Sequence, residues 1–191
     1  MNSFRLSSKE TLQKPTKVGT PKEVYRDPYT IISRQVVHFE GFQKRYYMWD
    51  RGIRVGLIPF HQGRVLMTRQ YRFLANRITL EIPGGKAEKG EQLIKAAIRE
   101  CKEETGLECR RLKKLIDYQP GLDTYHNPTT IFISSELKHP KETYGENCAW
   151  INLSEALRRI FSGIINDSFS IIGLLALHQK ISKNEKAKNS I

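Results

Sequence analysis

Residues 85–107 read GKAEKGEQLIKAAIRECKEETGL. The segment starts on the second glycine of Pro83-Gly84-Gly85 and ends just past Gly106. Between the glycines, Ile94, Ala97, Ile98 and Cys101 recur at i, i+3, i+4 and i+7, which predicts a helix over residues 91–105 with one buried stripe. Gly106 is well placed to end it. Glu100, Glu103 and Glu104 stand at i, i+3 and i+4 of the same helix, so their side chains share a face. That face is read as lying away from the apolar stripe. Three crowded carboxylates repel one another, and Arg99, four residues before Glu103, offers a single cation against three anions. A bound divalent metal ion is the natural completion. Hard Mg²⁺ takes oxygen ligands and keeps part of its shell for water and substrate phosphate. The backbone carbonyl of Gly84 can add a further oxygen. A solvated, charge-laced helix face is the alternative, but such a face needs no glycine at either end.

Outward from this segment, residues 78–82 form a short extended run, stopped by Pro83, which disfavours helix at Ile82. Residues 53–59 and 64–69 predict two strands around a His61-Gln62-Gly63 turn. Residues 29–32, 35–39 and 45–48 predict a small N-terminal antiparallel sheet with a turn at Gly41. Downstream, strands are expected at 112–118, 130–134 and 148–151. A short helix is expected to open with Ser154 as its N-cap, and a last helix over residues 168–181. The outline is α+β: a mixed sheet with helices packed around it in α/β/α layers. The expected organisation is a flexible basic segment at 1–22, N-terminal strands at 23–50, the main domain at 51–181 and a flexible basic tail at 182–191.

The chain has 191 residues, 39% apolar and 27% charged, a composition suited to one globular domain with tails. No apolar run approaches the roughly 20 residues of a membrane span, and residues 1–20 lack an apolar leader stretch. Cys101, Cys109 and Cys148 share no CxxC spacing, so neither a disulfide scaffold nor a cysteine zinc site is expected, and a reducing cytoplasm fits. The formal charge is +12. Residues 1–24 hold five cations against two anions, and residues 178–191 hold four against one. Half of the excess therefore sits at the two ends, and Arg110, Arg111, Lys113 and Lys114 form the one dense cluster elsewhere. Such charge serves either solubility or attraction to an anionic partner, a phosphate ester or nucleic acid.

The segment from Gly85 resembles the signature of the Nudix hydrolases, Gly-x5-Glu-x7-Arg-Glu-U-x-Glu-Glu-x-Gly-U with U apolar. Gly85, Glu91, Arg99, Glu100, Glu103, Glu104 and Gly106 fill its fixed positions, and Cys101 and Leu107 its apolar ones. Arg69-Gln70-Tyr71-Arg72 followed by Glu81-Ile82-Pro83-Gly84-Gly85 is similar to the flanking pattern of the ADP-ribose pyrophosphatase-like branch. Pro120-Gly121 and the run from Gly163 through Asp167 to Ser170-Ile171 are similar to its downstream motifs. The resemblance spans roughly residues 24–180 and implies a Nudix-type α/β/α sandwich.

It also implies an activity: Mg²⁺-dependent hydrolysis of a nucleoside diphosphate sugar, ADP-ribose first, with Mn²⁺ as a possible substitute. By position, Glu100, Glu103 and Glu104 would bind metal with the Gly84 carbonyl. Gly85, Glu91, Arg99 and Gly106 would support the box structurally. Arg72 is a candidate for the substrate diphosphate, with a surface salt bridge as its alternative. Glu81 is a candidate for substrate or metal, with a structural hydrogen-bond acceptor as its alternative. The resemblance places the general base either at Glu103 or in the loop at 138–147, where Glu146 is preferred to Glu142. His126 is a further candidate acid or base. Tyr46, Tyr47 and Trp49 could stack on a base, with a core role as the alternative. Relatives of this branch are commonly homodimers through the N-terminal sheet.

Two other readings stand beside this one. The +12 charge favours an RNA 5′-end or dinucleotide pyrophosphohydrolase, which the flanking motifs disfavour. A non-catalytic nucleotide-binding module would be expected to lack box carboxylates, and here none is missing.

Overall fold

The computed structural model describes residues 14–28, 30–122, 124–138 and 147–188, with side chains described through residue 184. In chain order the elements are β1 (Lys17–Val18), β2 (Lys22–Arg26), β3 (Ile31–Phe39), β4 (Phe42–Asp50), β5 (Arg54–His61), β6 (Arg64–Arg72), β7 (Arg77–Glu81), β8 (Gly84–Lys86), α1 (Leu93–Thr105), β9 (Glu108–Arg110), β10 (Lys113–Tyr118), β11 (Tyr125–His126), β12 (Thr129–Ser134), β13 (Glu136–Lys138), β14 (Cys148–Asn152), α2 (Leu153–Phe161) and α3 (Ser168–Lys188). They divide into two units, Met1–Arg51 with Gly121–His126, and Gly52–Pro120 with Asn127–Ile191.

In the first unit β3 and β4 form a hairpin in register from Ile31↔Asp50 to Phe39↔Phe42. Ser33 and Arg34 join the two runs expected at 29–32 and 35–39 into one strand, because both pair across the ladder. β1 and β2 pair with β3, and β11 joins β4 in parallel. Lys17 and Val18, expected in a flexible lead-in, are therefore paired, while residues 1–13 of that lead-in lie outside the described residues. Two of the three rings put forward for stacking on a base, Tyr46 and Trp49, already have partners. Lys44 lies 4.5 Å over Tyr46, Arg51 lies 4.7 Å over Trp49, and Trp49 stands edge-on to Tyr125.

The second unit is built around β5, which pairs in parallel with β12 and antiparallel with β6 and β8. β10 extends the sheet beyond β12, while β7 and β14 flank β6. β9 and β13 form a separate two-stranded ladder. Both sheet faces are covered, and side-chain alternation sorts residues between them. Val55, Leu57, Leu66 and Phe132 point to one side and pack with Ala96, Ala97 and Cys101 of α1. Ile58, Val65, Met67 and Ile131 point to the other and pack with Ala156 of α2 and Phe169, Leu174 and Leu177 of α3. This is the α/β/α sandwich that the resemblance implied.

α1 starts at Leu93, two residues after its expected start, and two further helix boundaries differ from expectation. Asn152, not Ser154, occupies the N-cap of α2, and the helix's first N–H, that of Leu153, donates to the Gly63 carbonyl. A tertiary acceptor thus replaces the hydroxyl cap. α3 runs past Ile181 to Lys188. Its start is capped by Asp167, whose Oδ2 accepts the Ser170 N–H at 2.8 Å, as at an N-cap. None of the described helices is long and apolar enough to cross a membrane.

Phe169 fixes how closely α3 approaches β5. A Cβ added at Gly56 would sit 2.3 Å from the Phe169 ring tip. Gly56→Ala is expected to destabilise the protein by about 1–3 kcal/mol through overpacking, read as a lower urea midpoint with unchanged slope. An unchanged midpoint would show that Phe169 can move aside without cost.

Candidate active site

The site begins with which way α1 faces. Its buried residues are Ala96, Ala97, Cys101 and Thr105, with Leu93 packed beside them, while Ile94 is 47% exposed. Leu93, Ala97, Glu100 and Glu104 follow one another at i, i+4, i+7 and i+11, so they form one line along the helix. The three carboxylates therefore do not lie together away from the buried stripe. Glu100 and Glu104 continue it inward, and Glu103 stands to the outside; the Glu100 side chain is 16% exposed and that of Glu103 59%. The physical reason is β8. Pro83-Gly84-Gly85, where the extended run at 78–82 was expected to stop, enters a strand on β5, with Gly56↔Gly84 and Val55↔Gly85 in register. A Cβ at Gly85 would lie 2.2 Å from Glu100 Oε2. The carboxylate occupies the room that a side chain would need.

Each carboxylate has a defined setting. Glu104 accepts the Gly84 N–H at 3.0 Å and a Gln70 side-chain N–H at 3.2 Å. Burial nonetheless pushes its carboxyl above the ordinary range, the Glu100 charge adds to this, and the two hydrogen bonds oppose it. Arg99 ties the outer edge together. Its Nη1 donates to Glu100 at 2.8 Å and to Glu103 at 3.2 Å, its Nε and Nη2 donate to Glu91, and Nη2 also donates to the Lys86 carbonyl. Glu91 in turn accepts the Glu88 N–H, which closes the loop before the helix. Gly106 ends the helix in the left-handed conformation, its N–H on the Lys102 carbonyl.

Next to the box lies a second charged group. Glu81, 4% exposed, accepts from Thr79 Oγ1 at 2.6 Å and from Arg72 Nε at 2.7 Å, and Arg72 Nη2 holds its other oxygen. Burial works to raise the Glu81 carboxyl, but the bonds from Arg72 and Thr79 outweigh it and hold it below the usual range. The geometry is that of the alternatives considered for both residues: a structural acceptor and its salt-bridge partner. Arg54 and Asp167 were not expected here. The Arg54 charge acts on Glu81, Glu104 and Asp167 alike. Asp167 is pushed upward by burial, and its Oδ1 is buried without a hydrogen-bond partner among the described residues. Gln70 and Asp167 lie inside quoted motifs, so their sequence signal existed. A lone arginine opening a strand carries none.

Glu142 and Glu146 lie outside the described residues. His126 belongs to the first unit, where its Nδ1 is 3.1 Å from Asp50 Oδ1. Among the described residues no three His, Cys, Asp or Glu side chains are gathered in ligating geometry. What is gathered is a pair, Glu100 and Glu104, beside the Gly84 backbone, with Glu103 drawn outward to Arg99. The Glu100 charge raises the proton affinity of Glu104, and a hard divalent cation beside the two carboxylates would relieve that repulsion. The residues present fit such an ion.

The NUDIX domain profile matches residues 50–165, a span that contains all of these box residues. The chain belongs to the Nudix family of pyrophosphohydrolases. It is 31% identical over 138 residues to CMP-5′-(N-acetyl-N-hydroxy-3-aminopropyl)phosphonate hydrolase of Streptomyces rubellomurinus (strain ATCC 31215), covering 70% of this chain and 67% of that protein. It is 27% identical over 185 residues to the ADP-ribose pyrophosphatase of Mycobacterium tuberculosis (strain ATCC 25618 / H37Rv), covering 93% and 84%. Among solved structures, the crystal structure of an ADP compounds hydrolase superposes with a TM-score of 0.76 over 92% of this chain and 98% of that one, at 19% identity. That last likeness is one of fold.

The raised Glu104 carboxyl has a consequence for stability. The fold holds this proton more tightly than the unfolded chain does, so stability falls as pH rises from the ordinary carboxylate range through the raised value, and stays lower above it. Glu104→Gln removes that loss, and Gln70 can flip its amide to match the new side chain. The metal-free variant is expected to melt higher than the parent at pH 8, with the gap closing as pH falls to about 4. A lower melting temperature at pH 8 would show that Glu104 is stabilised as an anion.

Proposed function

We propose that this protein hydrolyses the diphosphate of a nucleoside diphosphate sugar, ADP-ribose first, to AMP and ribose 5-phosphate. The observation that carries this is the inward pair Glu100 and Glu104 against the side-chain-free strand at Gly84-Gly85. Its support is the similarity over nearly the whole chain to the mycobacterial ADP-ribose pyrophosphatase. In this reading Glu100 and Glu104 hold Mg²⁺, or Mn²⁺ in its place, with the Gly84 carbonyl and with Glu103 once it leaves Arg99. When bound, the ion neutralises the diphosphate and acidifies the attacking water.

The chain's own residues do the rest. Arg99 and Glu91 keep the box carboxylates in place. Glu103, the most exposed of the three, receives the proton of the attacking water, a task for which Glu146 is the other candidate. The water oxygen bonds to one phosphorus, the bridging P–O bond breaks, and two phosphate monoesters leave. A homodimer through the N-terminal strands and a cytoplasmic setting complete the proposal. The three unbridged thiols Cys101, Cys109 and Cys148 agree with that setting.

Product analysis tests this. The protein is incubated with ADP-ribose, GDP-mannose, NADH, diadenosine polyphosphates and 5′-triphosphorylated RNA, with Mg²⁺ and with chelator. ADP-ribose is expected to yield AMP only with the metal, and Glu104→Gln to lower the rate by more than about a hundredfold. Turnover of RNA alone would overturn the substrate assignment, and full activity of Glu104→Gln would overturn the carboxylate roles.

A further inference from the structure

Three guanidinium groups of the second unit act on the carboxylates of the site, and two are already engaged. Arg99 donates to Glu91, Glu100, Glu103 and the Lys86 carbonyl. Arg72 donates through both Nε and Nη2 to Glu81. Arg54, at the start of β5, differs. Its guanidinium lies 4.2 Å over the ring of Phe169. Its Nε is buried with no hydrogen-bond partner among the described residues. It forms no ion pair there within 4 Å, although its charge reaches Glu81, Glu104 and Asp167.

A guanidinium is planar and carries five N–H donors along its edge, matched to the paired oxygens of a phosphate. Stacking on an aromatic ring spends the face and leaves the edge. Phe169 is itself 3% exposed and wedged against Gly56, so the platform under Arg54 is rigid. A buried donor left without an acceptor is unfavourable unless something supplies the acceptor. The neighbouring carboxylates would repel an incoming diphosphate, and a cation not yet committed is what such a site requires.

We infer that Arg54, held on Phe169, anchors a phosphoryl group of the substrate diphosphate, the task for which the sequence put forward Arg72. This rests on the proposed hydrolysis of a nucleoside diphosphate and names the residue that binds its anionic centre.

The test measures, in the presence of Mg²⁺, equilibrium binding of inorganic pyrophosphate, AMP and adenosine to the full chain and to Arg54→Gln and Arg54→Lys, with melting temperatures alongside. ADP-ribose turnover is followed in parallel. Arg54→Gln is expected to weaken pyrophosphate and AMP by about ten- to a hundredfold while leaving adenosine unchanged. Arg54→Lys, which keeps the charge and loses the fork, is expected to fall between. Should the glutamine variant fail to fold, the lysine variant decides by the same comparison of phosphorylated and unphosphorylated ligands. Pyrophosphate affinity within twofold of the parent, or an equal loss for adenosine, overturns the anchor. An Arg54-dependent pyrophosphate site in a protein that leaves ADP-ribose intact would sink the substrate assignment and keep the anchor. ADP-ribose turnover indifferent to Arg54 would do the reverse.

Discussion

Helix α1 turns two carboxylates toward the sheet, and a strand that opens on two glycines receives them. This packing orders the rest of the site. Like charges at partly buried positions repel more strongly than they would in water, so Glu100 and Glu104 persist there only because each has donors. Glu104 rests on the Gly84 N–H and Gln70, Glu100 on Arg99. Arg99 in turn is held by Glu91 and the Lys86 carbonyl, which ties the loop before α1 to the helix it precedes. Gly85 makes the approach possible and Arg99 makes it tolerable.

Positive charge is distributed with equal economy. The +12 of the chain lies half in its two ends, away from the chemistry by sequence. In the second unit, Arg99 serves the box and Arg72 serves Glu81. Glu81 is nearly fully buried and would be a costly ion without that pair. Of the three guanidinium groups beside the site, Arg54 keeps its edge among the described residues, stacked on Phe169. Phe169 thereby has two tasks: it packs α3 against Gly56 and supports the guanidinium.

Much of this was legible in the residues. The helix, its glycine stop and the trio of carboxylates follow from spacing alone, and the outline of strands and helices carries the fold class. The spacing also placed Glu103 within reach of Arg99. What spacing did not settle was which arc of α1 is buried. Ile94 and Leu93 are adjacent and both apolar, and choosing Ile94 rotates the stripe enough to turn Glu100 and Glu104 outward. Only the neighbouring strand decides between them, since α1 packs where Gly84-Gly85 leave room. The cap of α2 was missed for a similar reason, because a carbonyl from the β5–β6 turn takes the place of a local hydroxyl. The parallel strand at Tyr125–His126 lies in a stretch that reads as turn, being too short for a pattern. Arg54 gave no sign, because its role depends on Phe169, more than a hundred residues away.

The most direct measurement is the Mn²⁺ or Mg²⁺ affinity of Gly85→Ala, by calorimetry, beside the melting temperature of the metal-free protein. The backbone of Gly85 is one that alanine can adopt, so the change is steric: a methyl group 2.2 Å from where Glu100 Oε2 now lies. If the room at Gly85 is what sets the carboxylate pair, metal affinity falls by about tenfold or more with little change in melting temperature. Unchanged affinity would contradict the account, because the pair would then hold its place without the space that Gly85 leaves.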